Sequence, residues 1–401
     1  MDERVKYHLQ QIKEAREPPP PRPEEIAAAA IAASLPPFKE IIDVRTERDF
    51  AVTTFSQYKK TEVRKELMTS LMNCKVESAC NWSAEFICSA HFLDLWDTIL
   101  LFLGKYIHLG NPKLVIYIEN RFNQFRQIFE EHPQRKTDLI FRNIEPIRKL
   151  FAEIMAILCN SPRKVSFEEV RVKSGDFDMT QITDKLKADN IMYATEVFEK
   201  DDPKEIYMPL NEFAYHISTK SLNTYDACYW IEWIVEFEAL CKKRKAPCKL
   251  VRRTKYAPLI ADGKLQSDLI WIVWELLEIR AKSLSPIHEK IMRSIMSLFC
   301  MKYTTACCHK RRYLLYFAVA LITDKVSMDI PIVANKEIVQ IAMANINKVY
   351  SAIKKNEMRR GGGGGTKHSG GGGDMTNLDK SLEKMDLIMN ATMAGLNSGG
   401  G

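Results

Sequence analysis

The sequence predicts a mainly α-helical protein, and the distribution of glycine is the first observation that favours this class. Seventeen of the 401 residues are glycine, but only Gly104, Gly110, Gly175 and Gly263 precede residue 361. Few residues before that point can therefore adopt the positive φ of tight hairpin turns, so a β-sandwich or barrel is not expected. The same stretch contains neither a G-x-G-x-x-G nor a G-x-x-x-x-G-K-[ST] nucleotide-binding loop.

The second observation is apolar spacing of three and four residues between recognisable helix ends. A first helix is predicted over residues 81–108, and Gly110-Asn111-Pro112 ends it. Pro112 opens a second helix through residue 131, because proline is favoured in a first helical turn. A third helix is predicted over residues 137–159, with a kink at Pro146.

The segment 163–220 has a different pattern and predicts a small α+β insertion. Residues 165–172 have strand-like content, and a short helix is expected over residues 179–188. The β-rich runs 191–198 and 206–215 flank a polar turn that contains proline, which predicts a hairpin. A helix followed by a hairpin has the outline of a small winged-helix unit, although any small α+β insertion has the same pattern.

The remainder of the body returns to helical spacing. Further helices are predicted over residues 222–245, 265–283, 286–304, 306–323 and 334–357. The predicted organisation is a helical-bundle body with a small insertion and extended terminal arms. Its parts are an arm (1–37), a helical domain (38–162), the hairpin unit (163–220), a helical bundle domain (221–358), a glycine-rich linker (361–373) and an amphipathic docking helix (374–397).

Both termini have compositions unlike that of the body. Residues 18–23 form a proline-rich run that predicts a stiff spacer, and a short alanine-rich helix is expected over residues 24–34. The arm either lies along a neighbouring subunit or has no fixed structure. At the other end, apolar residues of the segment 374–397 recur at spacings of three and four, which predicts a helix that docks on a partner or folds back on its own body. The predicted partner-binding residues are Leu378, Leu382, Met385, Ile388, Met389 and Met393.

Charge, cysteine content and hydropathy place mild limits on the partners and the compartment expected for this protein. The formal net charge is +7, which permits an anionic partner without requiring one. The chain has ten cysteines and no secretory signal pattern, so free thiols in a reducing compartment are expected. No apolar run reaches the roughly 18 residues of a membrane span, so no transmembrane segment is expected.

The densest basic segment lies between Leu240 and Tyr256, where eight bases occur without an acid. It predicts contact with acidic protein faces or with nucleic acid phosphates, and the alternative is a solvated loop. A second, smaller basic cluster is Lys310-Arg311-Arg312. The residues predicted to contact an anionic partner are Lys242, Lys243, Arg244, Lys245, Arg252 and Arg253.

Motifs of catalysis and metal binding are missing from the sequence. There is no G-x-S-x-G, no H-E-x-x-H and no paired C-x-x-C knuckle. Glu232 and Glu236 are four residues apart, but acids in this region are expected to balance nearby bases rather than to catalyse a reaction. We therefore expect a non-enzymatic protein with no cofactor and no metal site.

One pattern of residue types resembles a known family. It comprises residues 229–238 (YWIEWIVEFE), Cys241, Arg252-Arg253 and residues 268–275 (DLIWIVWE). The pattern covers residues 225–320, about a quarter of the chain, and is similar to minor capsid proteins of nucleocytoplasmic large DNA viruses with chlorovirus-like icosahedral particles. The proline-rich arm and the glycine-rich tail are not part of it, and it carries no family active site.

The resemblance implies a virion structural protein on the inner side of a shell of double jelly-roll capsomers. Such a protein would join major capsid protein capsomers to each other or to the inner membrane, together with other minor capsid proteins, after assembly in the host cytoplasm. A homo-oligomer is compatible with this arrangement. The alternative function is nucleic-acid binding by the basic segment 242–255 and the hairpin unit 165–215.

Overall fold

A computed structural model describes residues 38–178, 182–246 and 248–359, and it confirms a mainly helical fold. The predicted arm 1–37 and the linker and docking segment after residue 360 lie outside the described residues. No helix in the described part of the chain has the length and apolar character needed to cross a bilayer. The α-helices in that part are α1 Lys60–Met72, α2 Val76–Cys88, α3 Phe92–Phe102, α4 Leu114–Glu130, α5 Glu145–Asn160, α6 Tyr207–His216, α7 Thr224–Lys243, α8 Ile270–Leu284, α9 Pro286–Phe299, α10 Cys307–Lys310, α11 Arg312–Thr323 and α12 Lys336–Ile353.

Helix α2 is the centre of the first half, and all of its residues are buried. It packs against α1, α5 and α12. The single helix predicted over residues 81–108 is wrong, because the chain breaks after α2 and begins again as α3. At the break Ala90 has φ 59°, and the amide of His91 donates to the carbonyl of Phe86 at 2.8 Å. This left-handed turn reverses the chain without a glycine.

Pro146 begins a helix rather than kinking one. Thr137 caps a short 3-10 helix, Asp138–Asn143, and Ile144 then adopts an extended conformation. Pro146 lies in the first turn of α5, where its missing N–H removes no helical hydrogen bond. The chain therefore leaves the helical conformation at Ile144, and α5 begins at Glu145. The apolar spacing alone did not indicate this break.

The predicted hairpin unit is not present, since the described residues of the segment 163–220 contain no strand. Residues predicted to form its second strand form helix α6 instead. Two side chains of that helix satisfy backbone amides of the preceding segment: Glu212 accepts from the amide of Lys187 at 2.8 Å, and Asn211 accepts from the amide of Tyr193 at 2.9 Å. These side chains take the role that a paired strand has in a hairpin.

Helix α11 is the centre of the second half. All its residues except Tyr313 are buried, and it packs against α7, α8 and α9. A π-helical turn, Leu103–Ile107, extends α3 toward it. Gly104 lies in that turn, where an added Cβ would come within 2.8 Å of the backbone of Tyr313. Glycine is therefore needed for this close approach of the two helices.

The last helix returns to the first half of the chain. Helix α12 packs against α2 and α5. Arg148 of α5 lies 4.0 Å from the ring centre of Phe38 and donates to Asn347 at 3.1 Å. Beyond α12, the amide of Val44 donates to the carbonyl of Met358 at 3.1 Å. The beginning and the end of the described chain therefore lie side by side.

Candidate partner-binding surface

The end of α7 determines where the densest cations lie. The amide of Ala246 donates to the carbonyl of Cys241, and the amide of Lys245 donates to the carbonyl of Lys242, each at 3.1 Å. This pair of bonds is a Schellman motif, with Lys245 in the left-handed position at φ 57°. Cations in a last turn also interact favourably with the helix dipole. Helix α7 therefore ends by turning its bases out into solvent.

Five of the six predicted anion contacts are exposed at this end of the molecule. We call them the basic surface: Lys242, Lys243, Arg244, Lys245 and Arg252. Arg252 is fixed from the side by a hydrogen bond to the Gln266 side chain at 2.7 Å. The exposed cations can meet an anionic partner, because none of them has to leave a buried ion pair first.

Arg253 is the exception, and its prediction as an external contact is corrected by its burial. The residue is 3% exposed. Its guanidinium contacts the carboxylates of Asp202 at 2.5 Å, Glu199 at 2.7 Å and Glu275 at 3.2 Å. Burial opposes the charge of Arg253, but the hydrogen bond that it donates to Asp202 and the acidic charges around it raise its pKa above the usual range. Arg253 thus joins the turn before α6 to α8.

Lys249 is also committed to acids within the protein. Its ammonium lies 2.6 Å from Glu238 and 2.6 Å from Asp268. Burial and the nearby charge of Asp268 raise the pKa of Glu238, and the contact with Lys249 offsets part of that increase. Asp268 is fully buried and also accepts hydrogen bonds from Tyr303 and Thr305, each at 2.9 Å. The lysine therefore bridges two buried acidic side chains beneath the basic surface and can balance the charge of one of them.

The second basic cluster is mostly internal. Arg311 is 4% exposed, contacts Asp97 at 2.8 Å and donates to two backbone carbonyls at the end of α9. Arg312 is 8% exposed and pairs with Glu169 and Glu232. Neither arginine is available to an external phosphate.

An apolar cleft of about 440 Å³ opens beside the basic surface. Val235 and Ala239 of α7, Leu265 and Ala306 contribute to its walls. Seven titratable side chains also line it: Lys242, Lys249, Lys264, His309, Cys248 and the two acids Glu238 and Asp268, both of which Lys249 contacts. Sequence reasoning missed Lys264 and His309, because the spacing of residues does not indicate that the turn before α8 and helix α10 meet the end of α7. Apolar walls with cations among them suit a peptide segment that carries both apolar and acidic side chains.

The other predicted features can be placed briefly. The partner-binding residues of the segment 374–397 lie outside the described residues. All ten cysteines lie in the described part of the chain, and each is a free thiol there. Among residues 38–178, 182–246 and 248–359, no group of three or more His, Cys, Asp or Glu side chains is arranged to hold a metal ion. Glu232 lies 2.7 Å from the hydroxyl of Tyr316 and 3.6 Å from Arg312, in a buried structural cluster.

Comparison of the chain with protein-family models, with curated proteins and with solved structures found no match.

Proposed function

We propose that the chain is a non-enzymatic structural protein of a large viral shell, and that its basic surface and the adjoining cleft hold an acidic segment of a neighbouring shell subunit. The resemblance of residues 225–320 to minor capsid proteins supports the first part. The observation that carries the second part is the exposure of Lys242, Lys243, Arg244 and Lys245 beside a cleft with apolar walls.

The charge pattern explains why the contact would be specific rather than a general attraction. The base that faces inward, Arg253, is neutralised by acids of the same chain, Asp202 and Glu275. The outward bases keep their full positive potential, which steers an acidic partner toward the cleft and sets its orientation. The apolar walls then contribute the non-directional part of the binding free energy.

The proposal is tested by neutralising the four bases of the basic surface that lie at the end of α7, and by measuring how much of the chain enters particles relative to the major shell protein. We expect the neutralised variant to enter particles several-fold less than the unmodified chain, because it loses four charges at the contact. A control variant that loses four exposed lysines elsewhere should assemble normally. The test variant carries Lys242→Gln, Lys243→Gln, Arg244→Gln and Lys245→Gln, and the control carries Lys65→Gln, Lys75→Gln, Lys282→Gln and Lys290→Gln.

Equal incorporation of the two variants would contradict the proposed contact. Nucleic-acid binding is the competing outcome, and it has lost the hairpin unit that supported it. It would be favoured if the test variant entered particles normally but lost affinity for duplex DNA. In that case the affinity of the unmodified chain should fall steeply with salt, because each phosphate contact releases counterions.

A further inference from the structure

A second apolar groove lies between α3, α4 and the turn that follows α9, and it has a volume of about 460 Å³. Two of its lining residues, Leu93 and Leu259, are 46% and 39% exposed. Aromatic side chains form much of the remaining lining: Phe92, Trp96, Phe122, Phe125 and Phe129. The exposed apolar surface therefore comes from the two leucines, above rings that are buried (Phe92, Trp96 and Phe125) or half-buried (Phe122 and Phe129). Charged side chains complete the lining: Arg126, Glu130, Asp138 and Lys302. A groove of this kind can accept the apolar face of an amphipathic helix.

The end of the described chain lies near this groove. The carbonyl of Met358 accepts a hydrogen bond from the amide of Val44 at 3.1 Å. Three residues further on, the carboxylate of Glu47 accepts from the amide of Asp138 at 2.8 Å, and Asp138 lines the groove. Three residues of chain span at most about 11 Å, so with these contacts and side chains added the path from Met358 to the groove is at most about 25 Å.

The chain after Met358 is long enough to cover that distance. Eighteen residues lie between Arg359 and Leu378, and nine of them are glycine. A glycine-rich chain of this length has a root-mean-square span of about 24 Å. A segment tethered at a matching distance has an effective concentration on the order of millimolar at its target. Contact within one chain therefore has an advantage over capture of a separate molecule.

We propose that the groove binds residues 378–393 of the same chain, so that the protein holds its own docking segment. Met385, Met389 and Met393 are spaced by four residues and share one face of the predicted helix. Methionine adapts to irregular apolar surfaces and makes favourable sulfur contacts with aromatic rings, which line this groove. A segment held in this way has to leave the groove before it reaches a neighbouring subunit. The contact does not depend on the identity of any shell.

Limited proteolysis of the full chain tests the proposal with an internal reference. Trypsin can cleave after Lys367 in the linker and after Lys380 and Lys384 in the segment. We expect cleavage after Lys380 and Lys384 to be at least about tenfold slower than cleavage after Lys367, because proteolysis requires the docked segment to open. Mass spectrometry of timed samples gives the separate rates.

Variants on both sides of the contact make the test specific. Leu93→Glu places a charge in the groove, and it should raise cleavage after Lys380 to the rate measured at Lys367. Leu284 is 47% exposed at the end of α8, away from the groove, so Leu284→Glu is the matched control and should leave the protection unchanged. A chain with Met385→Asp and Met389→Asp should lose protection while the groove stays intact, which keeps the test valid if Leu93→Glu impairs folding.

Two results would overturn the proposal. One is equal cleavage after Lys367, Lys380 and Lys384 in the unmodified chain. The other is protection that appears only as the protein concentration is raised, together with dimers in light scattering, because the groove would then hold the segment of a second copy.

Discussion

Replacing Arg253 by methionine is the sharpest test of the corrected surface, because it distinguishes a buried anchor from an external contact. The side chain is 3% exposed and bonds to Asp202, Glu199 and Glu275 as well as to the carbonyls of Val197 and Val251. Removing one member of a buried ion cluster leaves the others uncompensated, and this typically costs about 3–5 kcal/mol of unfolding free energy.

The contacts that remain after the substitution place the cost in the lower part of that range. Asp202 keeps hydrogen bonds from the amides of Val251 and Glu199, each at 2.9 Å. Glu275 keeps Lys255 at 3.3 Å. We therefore expect Arg253→Met to lower the unfolding free energy by roughly 3 kcal/mol. Adding Asp202→Asn should not restore the full loss, because it removes a stranded charge but leaves one of the amides of Val251 and Glu199 facing an NH2 group.

Urea unfolding followed by tryptophan fluorescence measures these changes as shifts in the midpoint at a constant slope. Arg244→Met is the matched control, because Arg244 is exposed at the end of α7 and its loss should cost no more than about 0.5 kcal/mol. A cost for Arg253→Met as small as that of the control would refute the assignment. It would return Arg253 to the basic surface.

Three further outcomes follow from the fold. Burial raises the pKa of Glu232 to about 6 against an ordinary value of 4.5, so this side chain binds a proton more tightly in the folded than in the unfolded chain. As the pH rises from about 4.5 to 7, the unfolding free energy of the wild type should therefore fall by about 2 kcal/mol relative to that of Glu232→Gln. Urea unfolding of both proteins measures this, and a difference between them that stays the same at every pH would contradict the prediction. Gly104→Ala should lower the unfolding free energy by about 1–3 kcal/mol, because the added Cβ meets the backbone of α11. Gly263→Ala is the control, because a Cβ at that position meets only the flexible guanidinium of Arg252. Equal thermal midpoints for the two alanine variants would count against the packing described. Iodoacetamide should label the exposed Cys74 well before Cys228, because Cys228 is buried and burial raises the pKa of its thiol. Peptide mapping measures the two labelling rates, and equal rates would show that α7 is not packed as described.

The helical class could be predicted because its signals are local. Helix α4 was predicted over residues 112–131 and lies at Leu114–Glu130, since Pro112 and Gly110 mark its start and its apolar residues repeat at helical spacing. The hairpin prediction was wrong for a non-local reason. Side chains of α6, Glu212 and Asn211, satisfy the backbone amides that a second strand would have paired.

At the candidate surface too, features set by nearby residues could be predicted from the sequence, and features set by distant residues could not. The exposure of the bases at the end of α7 follows from the helix ending there, which the sequence indicates. The burial of Arg253 does not, because Asp202 and Glu275, which neutralise it, lie 51 and 22 residues away in the chain. A run of bases without a nearby acid therefore does not show which of them face solvent.

The most direct test of the central claim is to quantify this chain in purified particles and to map its zero-length carbodiimide cross-links by mass spectrometry. A shell protein that binds an acidic neighbour should be present at a constant ratio to the major shell protein. Its Lys242, Lys243 or Lys245 should be joined to carboxylates of another subunit. Absence of the chain from particles, or cross-links from these lysines only to its own acids, would contradict the account.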